Sequence, residues 1–288
     1  ENSEGFANGT ELTFFTKPPA ATSLTETDST NTTLTYTWTE ATVGSGATAY
    51  TRIQYQTGSN PGTISTGTNT YNGTDETDNT TSLTPGTNYY FSAFTWATEE
   101  SKGQWNDTYA TMDAWTNPGD PNSISSIKGV DYINISFTHG TNGEYTMIRR
   151  NASGVGDYPA DRTSGTLLIN TTNSYFNDSG LNESTTYYYS LWTYDPDGNK
   201  WCDNKINYSV LTNTNNPPVF SNENPSNGST TSTSFTWNIT IKDPDGHDFN
   251  WTIECENGQS SNGNDESNGS KTLSISGLTF DTTYKIWV

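Results

Sequence analysis

Asp195-Pro196-Asp197-Gly198 and Asp243-Pro244-Asp245-Gly246, the latter followed by Asp248, are the stretches whose residue types could do chemistry. Two or three carboxylates on one short loop offer the hard oxygen ligands that Ca2+ takes. The same residues also build a tight turn with no ion, because proline and glycine set the backbone and aspartate bonds its own chain. Neither loop has EF-hand spacing. His139 and His247 each adjoin a turn glycine and lack a cysteine or carboxylate at triad spacing; only His247, beside Asp245 and Asp248, could join a metal site. The sequence contains no nucleophile elbow, phosphate loop or zinc motif. These residues argue against an enzyme and require no cofactor; calcium at the acidic loops is the one ion they suggest.

Asparagine offers a second chemistry. Asn-x-Ser/Thr acceptors for N-linked glycans stand at Asn8, Asn31, Asn72, Asn79, Asn106, Asn134, Asn151, Asn170, Asn177, Asn182, Asn207, Asn227, Asn238, Asn250 and Asn268. Composition alone gives about ten such sites, so the excess is modest. Asn72, Asn79, Asn106, Asn177, Asn182, Asn227 and Asn268 read as loop positions, the better acceptors. Asn134 and Asn238 fall in strands, where an outward face could still carry a sugar. Glycans would hydrate the surface and shield edge strands. They place the protein outside the cell, in a eukaryote or an archaeon.

The elements that carry these residues are strands. Of 288 residues only 29% are hydrophobic, yet 13% are aromatic, with 9 Trp, 17 Tyr and 11 Phe. A disordered chain would lack those rings. With 53 Thr, 33 Asn and 31 Ser, the chain favours strands joined by turns, and it has no helix-length amphipathic segment. The all-β class follows. A net charge of −20 without a basic stripe excludes nucleic acid as a partner. No apolar run is long enough to span a membrane, so contact with one would need an anchor outside this segment.

One frame recurs three times: Leu83-x-x-x-Thr87-x-Tyr89, Leu181-x-x-x-Thr185-x-Tyr187 and Leu278-x-x-x-Thr282-x-Tyr284. The tyrosines are 98 and 97 residues apart. Pro18-Pro19, Gly119-Asp120-Pro121 and Asn216-Pro217-Pro218 open the repeats as stiff linkers. Leu34/Tyr36/Trp38, Ile133/Ile135/Phe137 and Phe235/Trp237/Ile239/Ile241 alternate as strands with one buried face. The boundaries predicted are a terminal strand over 1–16, sandwiches over 17–117 and 118–215, and an incomplete third over 216–288.

The chain resembles tandem fibronectin type III domains. Trp38, Leu83-Thr84-Pro85-Gly86-Thr87-Asn88-Tyr89 and the repeat length carry the resemblance, which covers essentially the whole sequence. It implies immunoglobulin-like β-sandwiches in which Tyr89, Tyr187 and Tyr284 form tyrosine corners, each hydroxyl bonding back to the preceding chain. It implies that the acidic loops face the preceding domain, where calcium could stiffen a joint. It places Cys202 near the last hairpin loop and Cys255 near the end of a third strand, at opposite poles. A bond within one chain, a bridge between laterally packed chains, and inert buried thiols all stay open. Phe137 stands where the first repeat has Trp38, and the third repeat's early strand is offset, so another immunoglobulin-like or cadherin-like sandwich also fits there.

Residues 9–16 alternate like a last strand, and Tyr284, Ile286 and Val288 alternate like the strand before it. Read from Val288 into Glu1, they make one hairpin with 1–6 as its loop, and the three tyrosine intervals then average 96. Self-closure is hard, because three compact domains in line put the ends on the order of 100 Å apart. Three readings follow: one period of a long repetitive chain, copies joined when Leu12 and Phe14 complete a neighbour's third sandwich as a donor strand, or an arbitrarily trimmed segment. The leading function is a structural repeat of an extracellular filament, sheath or cell-surface stalk. Its partners are copies of itself, head to tail, with lateral packing a further option. The alternatives are an adhesin or carbohydrate-binding module, with Trp105, Tyr158 and Trp201 stacking on sugars, and a non-catalytic spacer of a large secreted enzyme.

Overall fold

Alternation of apolar and polar residues along short threonine-rich runs lets one face of each run be buried, and the chain forms strands throughout. A computed structural model describes residues 12–100, 102–151 and 157–288, and none of them is helical. Residues 9–11 of the terminal strand lie outside the described residues. Leu12–Thr16 carry no strand assignment and join no sheet among the described residues, while Lys102 Nζ donates to Thr13 Oγ1 at 2.7 Å.

The first sandwich runs β1 (Thr22–Ser29), β2 (Leu34–Thr39), β3 (Thr48–Gln56), β4 (Thr68–Gly73), β5 (Thr77–Thr80), β6 (Asn88–Glu99), β7 (Lys102–Trp105) and β8 (Ala110–Trp115). One sheet has the order β1-β2-β5; the other is β4-β3-β6-β7, with β8 also on β6. Setting aside the β6–β7 hairpin extension, this is a two-sheet sandwich of three and four strands, β1-β2-β5 and β4-β3-β6-β8. Leu34, Tyr36 and Trp38 meet Ile53, Tyr89, Phe91 and Ala93 between the sheets. The rings of Tyr36 and Phe91 lie 5.0 Å apart, tilted by 51°, within the range of favourable aromatic pairs.

The second sandwich repeats the order with β9 (Asn122–Lys128), β10 (Tyr132–Thr138), β11 (Tyr145–Arg150), β12 (Thr166–Thr171), β13 (Tyr175–Ser179), β14 (Thr186–Asp195), β15 (Lys200–Trp201) and β16 (Ile206–Leu211). Its sheets are β13-β10-β9 and β12-β11-β14-β15, with β16 on β14. The third has β17 (Val219–Asn224), β18 (Phe235–Lys242), β19 (Phe249–Cys255), β20 (Ser260–Glu266), β21 (Gly269–Ile275) and β22 (Ile286–Trp287), in sheets β17-β18-β21 and β20-β19-β22. Its core gathers Trp237, Ile239, Ile241, Ile253, Cys255, Leu273 and Ile275. Among the described residues nothing pairs with the outer edge of β22.

By compactness the chain divides into two units. One comprises Glu1–Ser126, Ile135–Phe176 and Tyr187–Ser209; the other comprises Ile127–Asn134, Asn177–Thr186 and Val210–Val288. The division falls within the strands of the second sandwich rather than at a proline linker.

The third sandwich holds a buried cation. Lys271 Nζ donates to Glu266 Oε2 at 2.5 Å and lies 5.6 Å from the rings of Phe249 and Trp251, a cation–π arrangement. Trp251 Nε1 donates to the same carboxylate at 3.0 Å. The Lys271 bond, then that from Trp251, holds the Glu266 carboxyl below its usual range. A carboxyl depressed in the folded state adds stability above its unfolded value of about 4.3 and loses it as pH falls through the folded value. The melting midpoint of the third sandwich should therefore drop between about pH 5 and about pH 3. Glu266→Gln should flatten that dependence in a calorimetric pH series, and an unchanged slope would refute the assignment.

Candidate functional site

The three repeated frames fold into one corner. Tyr89 Oη accepts the Thr84 N–H at 2.9 Å, and Tyr284 Oη accepts the Thr279 N–H at 3.1 Å. Tyr187 is buried, with the Arg150 guanidinium 5.1 Å from its ring. Each corner is tied to the turn between the first two strands by a backbone bond: Leu83 N–H to Thr32 O, Leu181 N–H to Asp131 O and Leu278 N–H to Thr233 O, at 3.0, 2.9 and 3.1 Å. Gly86, Ser184 and Asp281 occupy the same left-handed position, with φ of 56°, 48° and 53°. Few side chains adopt that conformation. At Gly86 space forbids one too, since a Cβ would lie 2.7 Å from that of Asn142.

The last strand closes each complete corner through a threonine that sequence reasoning did not single out. Thr116, after β8, donates from Oγ1 to Thr84 O at 2.7 Å and accepts the Thr87 N–H at 3.0 Å. Its own N–H reaches Thr87 O at 3.1 Å. Thr212, after β16, repeats this with Asn182 O at 2.7 Å, the Thr185 N–H at 3.0 Å and Thr185 O at 3.1 Å. Both threonines are buried. The recurrent Thr116-Asn117 and Thr212-Asn213, 96 residues apart, were the signal that could have revealed them.

In the third sandwich the corner is built but not closed. Thr282 Oγ1 donates to Phe280 O at 3.1 Å, as Thr87 does to Pro85 O at 3.1 Å. No threonine bonds Thr279 O or the Thr282 N–H among the described residues. Leu278, Tyr284 and Ile286 are half-buried where Leu83, Tyr89 and Phe91 are buried. Val288 is exposed. At the other end of the chain Leu12 is 89% and Phe14 87% exposed.

The acidic turns spend their carboxylates on the backbone. Asp195 Oδ1 accepts the Asp197 N–H at 3.0 Å, and Asp243 Oδ1 accepts the Asp245 N–H at 2.8 Å. Burial raises the Asp195 pKa. Asp245 binds the linker instead: its Oδ2 and Oδ1 accept the backbone N–H and Nδ2 of Asn216 at 2.5 and 3.1 Å, which lowers its pKa. Asp197 and Asp248 are exposed. Among the described residues no three acidic, histidine or cysteine side chains are close enough together to hold a metal ion. His139 uses both ring nitrogens, on Thr146 Oγ1 at 2.7 Å and Thr172 O at 3.0 Å.

The first of these turns forms part of a joint between the first two sandwiches. Gly198 lies against the Trp115 ring, where a Cβ would come within 3.0 Å. Lys200 Nζ reaches back to Glu26 Oε1 at 2.7 Å and Ser29 Oγ at 2.8 Å. Asp203 accepts the Asn31 N–H at 2.8 Å and Asn117 Nδ2 at 2.7 Å. Asn142 Nδ2 donates to Pro85 O at 2.9 Å. The motif search missed Lys200 and Asp203, whose pairing partners lie more than eighty residues away.

The glycan acceptors divide by exposure. Asn72, Asn79, Asn134, Asn170, Asn177, Asn182, Asn207, Asn227, Asn250 and Asn268 are exposed; Asn31, Asn151 and Asn238 are half-buried; Asn8 lies outside the described residues. Asn106 departs from its reading as a good loop acceptor. It is buried, Oδ1 accepts the Thr95 N–H at 3.1 Å, and Nδ2 donates to Thr108 O. A sugar on that nitrogen would have to break the turn. Asn151 and Asn268 also engage Nδ2, with Asp157 O and Asp243 O.

The rings offered for sugar stacking are half-buried rather than free. Trp105 packs on Trp96 at 5.1 Å and Tyr158 on Tyr188 at 5.3 Å. Trp201 has Tyr194 at 4.6 Å and the Arg162 guanidinium at 4.8 Å. Cys202 and Cys255 are free thiols, 5% and 4% exposed. Burial pushes the Cys202 thiol up to about 12. A bridge between laterally packed chains would need thiols at the surface, so this burial leaves the inert reading.

No family model matches this chain, and no curated protein does. Among solved structures, a two-domain fibronectin type III segment from chicken tenascin aligns with a TM-score of 0.40 at 15% identity, covering 67% of this chain and 100% of that one. The FN1–FN3 domains of chicken CNTN1 align with a TM-score of 0.31 at 14% identity, covering 69% of each chain. The strand order and the repeated corner carry the fold: these are tandem fibronectin type III-like β-sandwiches of the immunoglobulin-like kind.

The Lys200–Glu26 pair is half-buried at both ends. A double-mutant cycle with Lys200→Met and Glu26→Gln should give a coupling of about 1 kcal/mol in chemical denaturation. A coupling indistinguishable from zero would remove the pair from the joint.

Proposed function

We propose that this chain is a structural unit of an extracellular filament, sheath or surface stalk. Copies follow one another head to tail, each boundary closed by completion of a β-sheet. One observation carries this reading: the same corner recurs in tandem sandwiches, its tyrosines 98 and 97 residues apart and its buried closing threonines, Thr116 and Thr212, 96 apart. Tyrosine corners and the bonded joint between the first two sandwiches support a role in which spacing and tension, rather than turnover, are the output. Electron micrographs of native material should show filaments repeating at about three domain lengths, on the order of 100 Å. Uniform globular monomers would overturn the proposal. The mass of denatured native material separates its two forms. A value near 31.6 kDa plus sugar means strand exchange between chains; a value many times larger means one covalent repetitive polypeptide.

Exposed acceptors such as Asn72 and Asn79 carry N-linked glycans in this reading. Asn72 and Asn170 stand at one frame position, and Asn79 and Asn177 at another, 98 residues apart in each case. They lie on β4, β12, β5 and β13, each the last strand at an end of its sheet. Such edges invite pairing with other chains, and a bulky hydrated sugar blocks it. Glycopeptide mapping of native protein should find these four sites occupied and Asn106 bare. Occupancy at Asn106 with the four sites bare would reverse the assignment.

A further inference from the structure

We infer that the sugar on Asn72, and likewise that on Asn170, lies down on its own sandwich, its first pyranose rings packed over an aromatic strip on the outer face of the larger sheet. The inference rests on the reading above in which these acceptors are glycosylated, and adds where the sugar goes.

Strand register puts acceptor and rings on one face. In the second sandwich Asn170 lies opposite Met147, and Met147 opposite Trp192. In the adjoining row Tyr145 lies opposite Tyr194, and Tyr194 opposite Trp201. Residues directly opposite share a face, as do residues two apart along a strand. Ile148, Tyr189 and Leu191, all 0% exposed, hold the inward face, so these two rows point outward. Tyr145, Met147, Asn170, Tyr194 and Trp201 line a hollow of about 250 Å³. The acceptor is thus part of the wall of an aromatic hollow.

The first sandwich repeats this register with other side chains. Asn72 lies opposite Arg52 and Arg52 opposite Phe94. Tyr50 lies opposite Trp96 and Trp96 opposite Trp105. Arg52 precedes the buried Ile53 as Met147 precedes the buried Ile148, and Thr252 precedes the buried Ile253 in the third sandwich. There Asn250, itself an acceptor, takes the place of Tyr50 and Tyr145, and Asn262 opposite Thr252 begins no acceptor triplet. The outward tyrosine and the facing acceptor are present together twice and missing together once.

A pyranose has a flat face of C–H bonds, which sheds water onto aromatic carbon while the hydroxyls stay wet. From β12 to β15 is three strand spacings, about 14 Å, the span of a short oligosaccharide. Asn72 and Asn170 are exposed, and no hydrogen bond engages either side-chain amide among the described residues. The tether also selects this occupant: a sugar bonded to the face itself has an effective concentration that a free saccharide or a second chain must overcome. Held there, it covers both the edge strand and the rings that would attract other chains.

The test uses the full chain made in a glycosylating host. Glycopeptide mapping first reads occupancy at Asn72, Asn79 and Asn170. Asn79 is the internal reference, since Thr35 lies opposite it and Asp28 opposite Thr35. In proton NMR the first sugars on Asn72 and Asn170 should show ring-current shifts and cross-relaxation with aromatic protons; those on Asn79 should show neither. Occupied sites whose sugars all behave like those on Asn79 would overturn the packing and leave the glycan reading standing. Bare Asn72 and Asn170 would end both. Asn170→Gln should raise the unfolding constant of the second sandwich about fivefold, and have no such effect in a Tyr145→Ser background. Tyr145 is 36% exposed, so its loss leaves the core in place. Equal effects in both backgrounds would mean that the sugar acts without the rings, and the inference would fall. So would aromatic cross-relaxation that persists in Asn170→Gln, which would give the hollow to a free saccharide or a second chain.

Discussion

The structure depends on a polar closure at the rim of an apolar core. Each sandwich turns a corner between its two sheets, and that corner must bend through a left-handed residue, which leaves backbone groups pointing away from any ladder. A single buried threonine from the last strand accepts one of those N–H groups and donates to a carbonyl, while its own N–H takes another. Valine has the same shape and would leave the groups orphaned, at a cost of about 1–3 kcal/mol. The tyrosine hydroxyl satisfies the remaining N–H at the corner's entrance. Leucine anchors the turn below. In the third sandwich the corner forms while Leu278, Tyr284 and Ile286 stay half-buried.

This closure explains how so polar a chain folds. A hydrophobic fraction of 29% cannot fill three sandwiches with aliphatic side chains, so aromatic rings fill the volume and threonines fill the rims. Tyr36 shows the compromise. Its ring is fully buried against Phe91, and its hydroxyl meets Thr80 Oγ1 at 3.0 Å and Asp78 Oδ2 at 3.1 Å. Burial drives its pKa upward, so the phenol stays neutral and serves as a hydrogen-bonding hub. Threonine suits both tasks in such a fold, since its β-branch favours the strand and its hydroxyl serves wherever the strand ends.

Much of this was legible in the sequence, because the frame is local. Leucine, threonine and tyrosine at fixed spacing announce the corner, and alternation announces the strands on either side. The closing threonines were not legible. Thr116 acts on Thr84 and Thr87, some thirty residues back, and among 53 threonines only its recurrence 96 residues on, as Thr212-Asn213, marks it. The joint failed to show for the same reason, since Lys200 finds Glu26 across 174 positions. The acidic turns were read with two outcomes, turn or ion site. What separates those outcomes is where each oxygen points, and sequence does not carry that. Asn106 sits where a loop acceptor should, yet its amide closes its own turn.

The joints show what acidic residues at these ends bond to. At the first, Asp120 takes the N–H and Nδ2 of Asn204 on its two oxygens at 2.9 and 3.0 Å. At the second linker, Asp245 takes the same two groups of Asn216 at 2.5 and 3.1 Å. In both, one carboxylate grips one asparagine by backbone and side chain together. A grip of that kind fixes a linker's direction as well as its distance, because two bonds from one planar group leave little freedom to rotate. Proline removes much of the remaining freedom next to Asp120 and Asn216. Each linker is thereby held to the sandwich that follows it, Asp120 by Asn204 of the second and Asn216 by Asp245 of the third.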